Sequence, residues 1–282
     1  MHNKAAWPGG AHEERGADPS ARQARCAKGA PVSAEAPDLH IDGGMARLTL
    51  RRPRQANRLT AGDLGVLQAH LDAVNDSDAR VLLLSGEGRY FCSGFDLAGL
   101  GAIDAGARFG ELADALEAAR PVTIARLHGG VYGGAADLAL ACDFRLGAPA
   151  CEMFVPAARI GLHFYAGGLR RFVNRLGLPT AKQVLLAGRT LEAPALLGCG
   201  YLDQLLPDFA TLDAAIDALT AELLGMAPLA LLPMKQHLNA IAAGRLDEQR
   251  LAADIVKARD SVDLVEGQAA WAGKRPPKFK GC

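Results

Sequence analysis

Apolar and polar positions alternate at the start of the patterned region. Leu39-His40-Ile41 and Ala46-Arg47-Leu48-Thr49-Leu50 read as two strands of a hairpin turning at Gly43-Gly44, and Arg51-Arg52-Pro53 ends the second. The period then lengthens. Thr60 fits a helix N-cap, with Asp63 as the capping-box acid, and Leu64, Leu67, Leu71 and Val74 recur at helical spacing. Ala79 to Gly86 contains a continuous apolar run ending in glycine, which suits a strand buried on both faces. Shorter strands are expected over Val122–Leu127 and Phe144–Leu146, with helices over about Phe109–Ala119 and Gly134–Ala141. Strand–helix alternation predicts an α/β core with mostly parallel strands. Beyond Gly168 the pattern is helical: Leu169–Leu176, Thr180–Leu186, Ala193–Leu197, Leu212–Met226, Pro228–Ala243 and Asp247–Trp271. Three regions follow: an N-terminal extension (residues 1–37), a sheet-containing core (38–205) and a helical region (206–282). The extension is rich in Ala, Gly, Pro and charge and lacks an apolar period.

Composition narrows the function. The 282 residues carry 31 basic and 31 acidic side chains. That balance lacks the basic surplus of non-specific nucleic-acid or anionic-membrane binding. No apolar run approaches the roughly 20 residues that span a bilayer. The six cysteines form no CxxC pair and no zinc-spaced Cys/His cluster. Reduced thiols in a cytoplasmic protein, with no metal, are the expectation.

Candidate chemistry sits in two glycine-containing loops that follow buried strands. The first is Gly86-Glu87-Gly88-Arg89-Tyr90-Phe91-Cys92-Ser93-Gly94-Phe95-Asp96-Leu97 and the second is His128-Gly129-Gly130-Val131-Tyr132-Gly133-Gly134. Ligands of open α/β folds bind in such loops, and glycine lets them approach the backbone. Gly134 would open a helix, where a free N–H and the helix dipole favour negative charge, with Asp137 one turn deeper.

These loops resemble those of the crotonase superfamily, the enoyl-CoA hydratase/isomerase family. Further likeness lies in Arg52-Pro53…Asn57-Arg58-Leu59, Gly133-Gly134-Ala135-Ala136-Asp137-Leu138-Ala139-Leu140-Ala141-Cys142-Asp143, Gly167-Gly168-Leu169-Arg170-Arg171, Leu185-Leu186-Ala187-Gly188-Arg189 and Gly200-Tyr201-Leu202-Asp203. The resemblance implies a crotonase (ClpP-like) fold of repeated β-β-α units with C-terminal helices that build trimers or dimers of trimers. It implies an acyl-CoA substrate, no cofactor beyond that coenzyme A, and an oxyanion hole made by the N–H groups of Phe95 and Gly134. It also implies CoA contacts around Cys92, Ser93, Asp96, Leu97 and Gly133, with Arg54 near the CoA phosphates and a basic tail (Lys274 to Lys280) reaching a neighbouring subunit. An ordinary solvated charge is the competing reading of each basic residue.

The chain departs from the family pattern at both hydratase glutamates. Asp137 stands at the first, one methylene shorter, and Ala157 follows Pro156 at the second. The loop Arg159-Ile160-Gly161-Leu162-His163-Phe164-Tyr165 offers substitutes: His163 as a base near neutral pH, Tyr165 as a proton donor or orienting group, and Arg159 as a partner for an acidic acyl group. Packing or surface roles compete for each. Three readings result: an enoyl-CoA hydratase/isomerase type enzyme using Asp137 with His163, a decarboxylase of a malonyl-type CoA, or a non-catalytic acyl-CoA-binding protein.

Overall fold

The computed structural model describes residues 35–96 and 105–282. Leu97 and most of the extension, with Cys26, lie outside them. Glu35–Cys282 forms one compact unit. The hairpin forms as expected: β1 (Asp38–Asp42) and β2 (Met45–Leu50) pair antiparallel across Gly43 and Gly44, both with positive φ. α1 (Ala61–Asp76) returns the chain to β3 (Val81–Gly86), which lies parallel to β2. Thr60 and Asp63 close the capping box, and Asp63 also accepts two hydrogen bonds from the Arg52 guanidinium at 2.5 and 3.1 Å. α2 (Ala105–Glu117) precedes β4 (Val122–Leu127), and α3 (Gly134–Ala141) precedes β6 (Phe144–Gly147).

One sheet runs β1-β2-β3-β4-β6-β9, with β9 at Gln204–Leu205 and every pairing beyond β1–β2 parallel. A small second sheet joins β5 (Val131–Tyr132), β7 (Glu152–Phe154) and β8 (Leu191–Glu192). These two- and three-residue strands, like β9, are too short to leave a period in the sequence. The continuous apolar run of β3 is explained by its two covered faces. Leu82 and Leu84 pack with Leu48, Leu50 and the helices α1 to α3, whereas Val81 and Leu83 pack with Met45, Val122, Ile124 and α6 (Phe209–Leu224).

The helical region matches its pattern with two breaks. α4 (Ala166–Leu185) is interrupted at Gly177, where φ is 75°, ahead of Pro179. α5 (Ala193–Gly198) and α7 (Pro228–Ala242) follow the expected spans, but the segment from Asp247 divides into α8 (Glu248–Arg259) and α9 (Val262–Ala272), because Ser261 caps a new helix. α7 is tied to the sheet by buried Lys235, whose Nζ lies 2.9 Å from Asp143 Oδ2 and donates to Pro121 O. The tail beyond α9 folds back on it. Asp263 accepts from the backbone N–H groups of Lys280 and Gly281, and Glu266 from that of Lys278 and from Arg275.

Asn57 joins the segment before α1 to the loop after β3. It is buried, holds φ of 52°, and its Nδ2 faces the carbonyls of Glu87, Tyr90 and Phe91 at 2.8 to 3.1 Å, while Oδ1 accepts from Arg52 N. Asparagine tolerates this left-handed backbone better than other branched or polar residues. Asn57→Ala is expected to lower the unfolding free energy by about 2–4 kcal/mol, because it leaves buried polar groups unpaired. Urea unfolding with an unchanged midpoint would contradict that role.

Candidate active site

Backbone bonds bring the two glycine loops together. Leu59 N donates to Gly94 O at 2.9 Å and Asp96 N to Leu59 O at 2.8 Å, which bridges Leu59 to Phe95. Tyr132 N donates to Cys92 O, and Gly133 N to Phe154 O. Gly94 has φ of 88°, and a Cβ there would fall 2.7 Å from Tyr132 O and 3.2 Å from Gly134 N. Only glycine allows this contact, and it sets Phe95 beside the first residue of α3. Among the described residues, neither the Phe95 N–H nor the Gly134 N–H has a protein acceptor. Gly134 also sits at the positive end of the α3 dipole. Two fixed donors of this kind stabilise a developing oxyanion by about 3–4 kcal/mol each.

Phe95 and Gly134 both line one cavity of about 390 Å³. Ser93, Asp96, Gly133, His163 and Tyr165 line it too, so the structure brings together seven of the residues singled out in the sequence. Arg58 and Phe109 join them and were not anticipated. Asp96 pairs with Arg58 at 3.3 Å. His163 is exposed, and its Nδ1 lies 2.7 Å from Phe164 O. Assigned as a donor there, Nδ1 leaves the Nε2 lone pair free.

Asp137 does not line this cavity. It is 0% exposed, one oxygen receives Arg171 Nε at 2.8 Å, and the other receives Arg171 Nη2 at 2.6 Å and the Tyr165 hydroxyl at 2.7 Å. The short side chain has turned inward to a guanidinium, so the geometry gives it no direct reach to a substrate. Arg171 is itself 0% exposed and also meets Asp114 and Glu117. Burial opposes its charge, but the bonds to Asp137 and the charges of Asp137 and Glu117 win and raise its pKa. Tyr165 is held neutral: burial, then the adjacent Asp137 charge, pushes its pKa well above 10. Its ring fits between Gly110 and Gly168, where any Cβ would collide with it, and stacks on Phe164 at 4.8 Å. Since its proton is given to Asp137, Tyr165 Oη has only lone pairs left to offer.

Other expectations are redirected. Arg159 lies outside the cavity lining, donates to Gly188 O at 2.6 Å and covers the Phe154 ring. It is spent on the segment that follows α4 and on the Phe154 ring. Cys92 is fully buried, its thiol donates to Asn57 O, and burial pushes its pKa up to about 12. Its side chain is closed to a ligand. Arg54 and Lys274 are exposed and stand apart from this cavity. Arg171 had a sequence signal: Asp114 and Glu117 share one face of α2 with apolar Ala113 and Leu116 nearby, and Asp137 lies in an all-apolar helix. Two of these acids, Glu117 and Asp137, are buried and need a buried cation, while Asp114 is exposed.

The profile of the enoyl-CoA hydratase/isomerase family matches residues 40–282. The chain belongs to this family. A Mycobacterium tuberculosis protein named "Probable enoyl-CoA hydratase echA6" is 32% identical over 238 residues, 83% of this chain and 95% of that one. The 2,3-dehydroadipyl-CoA hydratase of Escherichia coli is 30% identical over 244 residues, 83% of this chain and 94% of that one. Among solved structures, an enoyl-CoA hydratase/carnithine racemase from Magnetospirillum magneticum superposes with a TM-score of 0.82 at 25% identity, covering 89% of this chain and 97% of that one. The fold is the crotonase fold of these neighbours.

Replacing Arg171 by Leu should destabilise the protein by about 3–5 kcal/mol, because Asp137 and Glu117 would be left buried without their cation. Chemical denaturation of this variant measures it. Stability equal to wild type would mean that the cluster is not an ionic one.

Proposed function

We propose that this acyl-CoA enzyme of the enoyl-CoA hydratase/isomerase type holds the thioester oxygen between the Phe95 and Gly134 N–H groups, and that His163 rather than Asp137 moves the proton. The observation that carries this reading is that Phe95 and Gly134, whose N–H groups have no described acceptor, line the cavity that His163 also lines, while Asp137 is shut away from it. As the α-proton leaves, negative charge moves to the thioester oxygen and the two donors meet it. His163 Nε2 takes that proton and returns it to carbon, or takes one from water that adds to the enoyl double bond. The Tyr165 ring walls the cavity, while its hydroxyl is committed to buried Asp137. Coenzyme A enters with the substrate, along the Ser93 and Asp96 edge with the backbone of 92–96 and Gly133, and Arg54 and a second copy's Lys274 meet its phosphates.

Decarboxylation of a malonyl-type CoA called for Arg159 or His163 beside the carboxylate. Arg159 is engaged with Gly188 O, so that alternative loses its stronger cation. We assign the active form to a homo-oligomer, a trimer or a dimer of trimers. The C-terminal helices leave Trp271 88% exposed, with Val265, Leu238 and Ile255 also bare, and a second copy would cover them. A cytoplasmic location fits the unpaired Cys92, Cys142, Cys151, Cys199 and Cys282.

Exchange of the α-protons of butyryl-CoA in deuterated water, followed by NMR, reads enolate formation directly. Turnover of crotonyl-CoA and 3-hexenoyl-CoA reads the full reaction. His163→Ala should slow both by about 100-fold with the fold intact. Undiminished rates would remove His163 from the chemistry. Gly134→Pro deletes one donor at a helix position that does not use its N–H. A Cβ at Gly134 would come 2.7 Å from the Phe109 ring, so the change is made in a Phe109→Ala background. It should cost a further 100- to 1,000-fold, roughly, over Phe109→Ala alone. Tight acyl-CoA binding with neither exchange nor turnover would instead make the chain a binding protein.

A further inference from the structure

His128 stands at the foot of the second glycine loop, and the proposed chemistry gives it no part. It is 4% exposed, and neither ring nitrogen has a hydrogen-bond partner among the described residues. Unmatched polar atoms in an interior are costly, so such a residue calls for a cause. Val122 and Ile124 turn onto the sheet face that α6 covers, and Arg126 and His128 follow in the same register. The imidazole meets the ring of Phe209, the first residue of α6, at 6.4 Å and 79°.

The same residue reaches both glycine loops. Its ring lies beside the backbone of Gly88 in the first. Its chain neighbour Gly129 is pressed on that loop, where a Cβ would collide with Arg89 O, and Gly130 O accepts from Phe91 N at 3.1 Å. His128 is thus wedged where α6, the first loop and the loop ending at Gly134 converge. The charged groups around it are engaged elsewhere. Arg126 pairs with Asp213 of α6 at 2.6 Å, Glu87 pairs with Arg51 at 3.6 Å, and Arg89 lies over the Tyr90 ring. Among the described residues, no carboxylate pairs with the imidazole. Burial, then the Arg126 charge, push its pKa below 6.5 against the pull of nearby backbone and of Asp213. The wedge is therefore neutral at neutral pH, and a proton would set a second cation beside Arg126 in the interior.

We propose that neutral His128 is a positioning residue of the oxyanion hole, holding the loop of Gly134 against that of Phe95, and that its protonation parts the two loops and disables the site in acid. The inference rests on the acyl-CoA reading above. Because the folded chain binds this proton more weakly than the unfolded one, the stability carried by neutral His128 is complete above pH 6.5 and is lost as pH falls below it.

Isothermal titration with butyryl-CoA tests it in a His163→Ala background, where the cavity histidine no longer titrates. Affinity should fall about fivefold between roughly pH 7.5 and pH 5, and by less than about twofold once His128→Phe or His128→Gln is added. The coenzyme's own phosphates titrate alike in every variant. A fall that the His128 replacements leave unchanged overturns the proposal. NMR of the His163→Ala protein over the same range follows the His128 imidazole and the Gly134 amide, which should shift with one shared midpoint below 6.5. A Gly134 amide unmoved by the His128 titration overturns the proposal whether or not the His128 variants fold, and so does a His128 that takes no proton in this range. If no ester binds at either pH, the acyl-CoA reading falls and the shared midpoint alone decides the role of the wedge.

Discussion

The site depends on the contact of two backbones at Gly94. Phe95 and Gly134, on loops some forty residues apart, line one cavity because the chain at Gly94 lies against Tyr132 O and Gly134 N. That contact is supported on each side by ordinary strand bonds, from Leu59 to Gly94 and from Tyr132 to Cys92. The parallel sheet supplies the framework, because β3 and β4 are neighbours and both loops leave from the same end of them. Nothing in this device requires a particular side chain at Phe95. It is carried by backbone, which is why it survives the loss of the acids around it.

Behind the cavity, charge is arranged around one buried guanidinium. Arg171 joins buried Asp137 and Glu117, where a lone charge would be untenable, and reaches out to exposed Asp114. The cluster fixes Tyr165, whose ring walls the cavity and whose hydroxyl points into the cluster. A carboxylate that faces substrate must be free to gain and lose a proton. One clamped on two sides by a buried guanidinium serves instead as an anchor.

Much of the fold was legible because burial writes a period into the sequence. The hairpin at Gly43-Gly44, the capping box at Thr60 and the bounds of α3 all emerged from spacing and local chemistry. The meeting of the two glycine loops was also legible, since glycine loops after buried strands carry a backbone requirement that any sequence must meet. The rest was not, for a common reason. Where Asp137 and Arg159 point is decided by partners distant in sequence, Arg171 and Gly188, and the carboxylate or guanidinium itself reveals nothing of the direction taken. The two-residue strands β5, β8 and β9 escaped because pairing, not pattern, defines them.

The double-sided burial of β3 bears on how the chain is made. The side chains Met45, Val81, Leu83, Val122 and Ile124 form one face of the sheet, and the helix that covers it contributes Leu212, Ile216 and Leu223. All five strand residues leave the ribosome long before α6 does. Through that interval the growing polypeptide carries a bare apolar sheet face, which makes it a client for chaperones and a hazard for self-association. Completion of the protein is thus a late event, set by the arrival of one helix.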